Sequence, residues 1–196
     1  MRSFVHAFVR DERGVVAVEL VLVVPILVWA LLSTFVYFDV FRVESNTTRA
    51  ALTVADMFSR EEVPITDAYL DGARSLLQAL TFEESDPDYR VTVYRYQEFD
   101  DKYLVVWSEN RGMVPNLDND QLMNIRHRLP ILANGDRAIL LETRVEYDAP
   151  FDIGIGSFAN TNLDDVTFTT FTVIRPRANT LCFDTTPADD ATGLSC

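Results

Sequence analysis

Residues 15–38, VVAVELVLVVPILVWALLSTFVYF, carry one ionisable side chain, Glu19. No polar face interrupts this run, so the pattern predicts a helix that is apolar all round. Farther along, Val40, Val43, Thr47, Ala50, Val54 and Phe58 recur three or four residues apart, which continues the same helix with a single apolar stripe for a soluble domain. Pro64 ends the pattern, and Thr66 with Asp67 can cap a second helix in which Tyr69, Leu70, Ala73, Leu76, Leu77 and Leu80 share one face. After Tyr89 the period shortens to two. Residues 90–97 (RVTVYRYQ) and 103–108 (YLVVWS), joined by residues 98–102, predict an antiparallel hairpin. In residues 138–147, Ile139, Leu141, Thr143, Val145 and Tyr147 alternate with Leu140, Glu142, Arg144 and Glu146, which predicts a third strand with one face mostly wet. Residues 166–174 (VTFTTFTVI) are the fourth. Between strands two and three, residues 117–129 predict a short helix capped by Asp118 or Asn119 and stopped by Pro130. Residues 150–165, with Gly154, Gly156, Asn160 and Asn162, predict a long loop, and from Ala178 the tail is polar. The expectation is an α+β fold: a long N-terminal helix, then helices packed on a mostly antiparallel sheet of about four strands.

The run that begins at Val15 and ends at Phe38 is a candidate transmembrane helix. Its 24 residues span about 36 Å at the helical rise, against about 30 Å of hydrocarbon. Arg2, Arg10 and Arg13 precede it, and Asp39, Arg42 and Glu44 follow, which places the N-terminus in the cytoplasm and residues 39–196 across the membrane. A cleaved secretory signal is the competing reading. No small-residue cleavage site closes the run, which continues into Phe35-Val36-Tyr37-Phe38-Asp39, so the segment is expected to persist as an anchor. Glu19 is costly in such a span unless it finds a partner or reaches the headgroups. Pro25 removes one backbone hydrogen bond and loosens the helix around residues 21–25.

Charge narrows the function. With 17 basic against 30 acidic residues the net charge is −13, which repels phosphate backbones, and no run of basic and aromatic residues offsets it, so nucleic-acid binding is excluded as an expectation. His6 lies near the N-terminus and His127 stands between Arg126 and Arg128; neither belongs to a nucleophile, base or metal set, and no Gly-rich phosphate loop or hydrolase motif occurs. The acids at 118–120 and 164–165 lack the twelve-residue framework of a calcium loop and are expected to be caps and solvated loops. No enzyme activity, cofactor or metal is expected. The sequon Asn46-Thr47-Thr48 falls within a predicted helix. The two cysteines, Cys182 and Cys196, allow one terminal clasp; in an oxidising compartment a disulfide closing about 15 residues contributes about 3 kcal/mol in the chain-entropy model.

The string Arg10-Asp11-Glu12-Arg13-Gly14 before Val15-Val16-Ala17-Val18-Glu19-Leu20 resembles a type IV prepilin-type leader. Arg10, Gly14, Ala17, Val18, Glu19, Leu22 and Pro25 together are similar to TadE/TadF-like minor pseudopilins of tight-adherence (Flp) pilus systems. Leu20, where the major Flp pilin has Tyr, and the length of the chain point to a minor component. The ending Arg175-Pro176-Arg177, then Leu181-Cys182, is similar too. The resemblance implies residues 1–14 as a cytoplasmic leader, a prepilin peptidase cutting between Gly14 and Val15, and a pilin-like periplasmic domain. Glu19 would then serve recognition and assembly, pairing with the new Val15 amine of an adjacent subunit, and the mature chain would carry a net charge of −14. Implied partners are the peptidase, other pilins and minor pseudopilins, the inner-membrane platform proteins, the secretion ATPase and membrane lipid; the implied role is pilus biogenesis and surface adhesion, from the inner membrane or incorporated in the pilus. The alternative from a different class is an unprocessed, single-pass, membrane-anchored periplasmic binding or envelope protein, which needs neither Gly14 nor Glu19.

Overall fold

The computed structural model describes residues 15–82, 85–112, 115–150, 165–177 and 181–184. The chain divides into two compact units, residues 1–40 with 149–164, and residues 41–148 with 165–196. Helix α1 (Val15–Arg60) is a single 46-residue helix with Pro25 inside it. Its apolar spacing changes along its length as the sequence predicts. In the second unit Val43, Thr47, Ala50, Ala51, Val54, Ala55 and Phe58 are all buried. Three alanines on that stripe bring the helix backbone close to its neighbours at little entropic cost. Helix α2 (Asp67–Thr81) starts where Thr66 caps it, its side chain accepting from the Tyr69 amide, and ends at Phe82, whose φ of 61° is left-handed. Leu70, Ala73 and Leu77 are its buried face, with Leu76 and Leu80 packed against the same core.

The sheet has four antiparallel strands, β1 (Asp88–Gln97), β2 (Lys102–Arg111), β3 (Arg137–Asp148) and β4 (Asp165–Ile174), in the order β2-β1-β3-β4. The α+β class and the four strands agree with the sequence pattern. One face of the sheet meets the helices: Tyr89, Val91 and Val93, with Trp107, Ile139 and Leu141, join Ala50, Val54, Phe58, Leu70 and Leu77 in one buried cluster. The buried Tyr89 hydroxyl donates to the Leu70 carbonyl at 2.7 Å, and Arg111 reaches Asp67 and Asp71 of α2 at 2.7 and 2.6 Å. The first half of β3 is buried on both faces, because a second cluster covers the opposite side of β1 and β2. That cluster unites Tyr94, Tyr103, Ala138 and Leu140 with Leu117, Leu122, Leu129 and Leu132. The covering segment holds helix α3 (Asn119–Asn124), closed by a reciprocal capping box between Asp118 and Gln121, and a 3-10 turn at Arg126–Arg128.

A β-bulge lets one strand serve both faces. Val93 pairs with Trp107 but Tyr94 pairs with Val105, so Val106 has no residue opposite it on β1. Tyr103 and Val105 therefore face α3 while Trp107 faces the helical layer. Residues 181–184 of the tail are held against the domain. Leu181, Cys182 and Phe183 are buried; Trp107 Nε1 donates to the Leu181 carbonyl, the Ile65 amide to the Cys182 carbonyl and the Asp184 amide to the Ile65 carbonyl.

The burial of tyrosines in this core has a pH signature. Burial first, then the charge of Glu61, pushes the Tyr69 hydroxyl up to about 12. The neutral form is the one the fold holds, so between pH 10 and 12 the unfolded chain loses this proton before the folded one does, and stability falls as pH rises through that window. The chain has one lysine, Lys102, so little else titrates there besides tyrosine. The expected result is a urea midpoint that drops from about pH 9.5 to about pH 11.5, with a smaller drop in Tyr69→Phe; equal slopes in both proteins would refute the assignment.

Candidate functional site

In α1 the side chains of every residue from 17 to 31 are exposed. Leu22 is 64% exposed, Ile26 67% and Phe38 67%. An aliphatic or aromatic side chain left in water forgoes about 1.5–3 kcal/mol of burial. From Val18 to Phe38 the exposed group includes Val21, Leu27, Trp29, Leu31 and Phe35 as well, so the sum exceeds the whole net stability of an ordinary domain, about 5–15 kcal/mol. Such a surface is compatible with the apolar surround of a transmembrane anchor. It is the one helix among the described residues long and apolar enough to cross a membrane. The Tyr37 and Phe38 rings meet edge to face at 6.1 Å, just before Asp39 and Arg42 in the sequence.

Glu19 lies within this exposed stretch, one helical turn after Val15. Spacing of i and i+4 puts positions 15 and 19 on the same side of α1. A carboxylate there, with Val18, Leu20 and Leu22 exposed around it, is the one acidic group on an otherwise apolar surface. Residues 1–14, Gly14 among them, lie outside the described residues, as do residues 151–164. Cys182 is buried and disulfide-bonded; Cys196 lies outside the described residues.

The remaining sequence candidates resolve into structure. Asp118 accepts from the Gln121 amide at 2.7 Å, and the Asn119 side chain accepts from the Val105 amide at 2.7 Å, joining α3 to β2. These polar residues cap and tie. His127 is exposed on the 3-10 turn, while its neighbour Arg126 pairs with Asp101 at 2.6 Å. That guanidinium, then the Tyr96 hydroxyl, holds the Asp101 carboxyl below its usual range. Among the described residues no three His, Cys, Asp or Glu side chains converge as metal ligands. Thr47 of the sequon is buried in the helix stripe.

One detail of the apolar segment escapes the sequence. Val36 is fully buried and the Ser33 hydroxyl, one turn earlier, is buried without a hydrogen-bond partner. Within VWALLSTFVYF nearly every position is apolar, so no contrast marks which side of the helix is covered. Comparison with protein-family models, with curated proteins and with solved structures returned no match for this chain.

Proposed function

We propose that the protein is a non-enzymatic minor pseudopilin, TadE/TadF-like, of a tight-adherence pilus, anchored in a bacterial inner membrane with its α+β domain on the periplasmic side. The observation that carries this reading is the change of role along one continuous helix. Its first part exposes an apolar surface with a single carboxylate, and its last part is the buried spine of the sheet domain. A subunit that must leave a bilayer and pack its helix against other helices needs this arrangement, because both surroundings are apolar and the folded domain travels with the helix. The prepilin-like string from Arg10 to Pro25 lies at the N-terminal end of that surface, which supports a peptidase cut between Gly14 and Val15.

On this reading Glu19 meets the amine exposed at Val15 of a neighbouring subunit. Opposite charges in an apolar medium attract strongly while each alone is costly, so the pair fixes the axial offset of adjacent helices. The partners are the peptidase, other pilins, the platform proteins and the secretion ATPase. The test is the intact mass and N-terminal sequence of the protein from membranes of hosts with and without the peptidase. A start at Val15 only where the peptidase is present is the expected result. A start at Met1 in both hosts would make residues 15–38 a plain anchor and end the pseudopilin reading.

A further inference from the structure

We propose that Arg95 and Arg137 form a binding site for an oxyanion, a carboxylate or phosphate group held between their two guanidinium groups. The two residues stand directly opposite each other on β1 and β3. In an antiparallel ladder such partners share a face, with Cβ atoms about 4.5–5.5 Å apart, and like charges so placed repel. Arg95 Nε and Arg137 Nη1 are both buried with no hydrogen-bond partner. Burial, then the charge of Arg95, holds Arg137 below its usual range.

The same two strands pair charge correctly five rungs away. Arg90 lies opposite Glu142 and donates to its Oε2 from Nε at 2.8 Å and from Nη2 at 2.6 Å. No such acid answers Arg95 or Arg137. Asp136, next in sequence to Arg137, is bound to Arg175 at 3.2 Å, and Asp101 near the hairpin end is bound to Arg126. In a chain with 30 acidic against 17 basic residues, two half-buried arginines left facing each other are an anomaly of placement. Leaving buried charged donors unmade is among the costlier defects a fold can carry. The pair also stands beside an apolar wall: Val93 and Ile139 are the next residues on that face of β1 and β3, both fully buried. Dry surroundings strengthen a charge-assisted bond to an incoming oxyanion. Each guanidinium offers a planar fork of donors, and an oxyanion brings two or more acceptor atoms, so one ion can satisfy both groups and reverse the repulsion.

The experiment is thermal unfolding of the full-length protein in detergent micelles, with sodium phosphate or sodium acetate titrated against sodium chloride at matched ionic strength. A saturable rise in Tm of about 3–5 °C at ten times the Kd is expected for at least one oxyanion. The arm that responds tells a phosphate source from a carboxylate source. Arg95→Met and Arg137→Met are expected to lose the response and, in chloride, to be at least as stable as the parent, because each removes the like-charge contact. No rise over chloride in either arm, or an equal rise in both variants, overturns the site. If a variant does not fold, the arginine side-chain Nε–H resonance of Arg95 in the unaltered protein decides: a saturable shift on titration supports the site, and none refutes it.

Discussion

Phe58→Ala is expected to lower the unfolding free energy by about 3–5 kcal/mol, the cost of emptying a fully packed aromatic site. Phe58 has no exposed surface and is the point where three elements meet. It comes from the last turn of α1, its ring lies 5.6 Å from Tyr69 of α2 and 6.4 Å from Tyr89 of β1, and Ile65 and Leu77 belong to the same cluster. Among the neighbours the Tyr89 ring is fixed by its bond to the Leu70 carbonyl, so the space cannot collapse cheaply. Against a typical net stability of about 5–15 kcal/mol, the variant stands near the threshold of unfolding. Urea denaturation of the full-length protein in detergent should show a lower midpoint with an unchanged slope. Phe58→Leu should cost less than half as much, since most of the volume remains. A loss below about 1 kcal/mol for the alanine variant would mean that Phe58 is not the joint of α1, α2 and the sheet.

On the pseudopilin reading, Gly14→Trp removes maturation altogether. A peptidase that cuts after glycine has no room for an indole at that position, so the protein should keep its 14-residue leader and pili should be absent from the cell surface. Glu19→Val separates the two steps. The chain should still start at Val15, while assembly fails because the new amine has no carboxylate to meet. Mass spectrometry reads the first step and electron microscopy of cells the second. Normal cleavage and normal piliation in both variants would eliminate the proposal, leaving the anchored helix without a pilus role.

Much of the architecture is written in the sequence as changes of period. Tyr69, Leu70, Ala73, Leu77 and Leu80 mark α2, which packs one face on the sheet, and the alternation up to Tyr147 marks β3, whose residues from Thr143 on are alternately buried and exposed. Thr66, Asp118 and Pro130 punctuate the chain, since caps and breakers act through the local backbone. What is not legible depends on contacts distant in sequence. Leu181 and Phe183 look like members of a polar tail, and only the hydrogen bonds with Trp107 and Ile65 make them core. Leu117, Leu122, Leu129 and Leu132 give no sign of which sheet face they cover. Neither the strand order nor the confrontation of Arg95 with Arg137 can be read before β1 and β3 are known to be neighbours. In the candidate site the reverse holds: Glu19 stands out at once in a run of apolar residues, whereas the buried side at Ser33 and Val36 does not.

The extra residue at Val106 fixes the parity of β2. With Val106 bulged out of the ladder, Tyr103 and Val105 serve one layer and Trp107 the other; were Val106 paired in register instead, strict alternation would put Trp107 on the face of Val105 and turn one of the two sets outward. Deleting Val106 therefore removes the bulge and leaves a regular ladder in which Val105 still opposes Tyr94 and Trp107 still opposes Val93, whereas deleting a second residue beside it puts Trp107 on the face of Tyr103. The domain should accept the loss of this one valine far better than the loss of two residues, because only the second exchanges inside for outside.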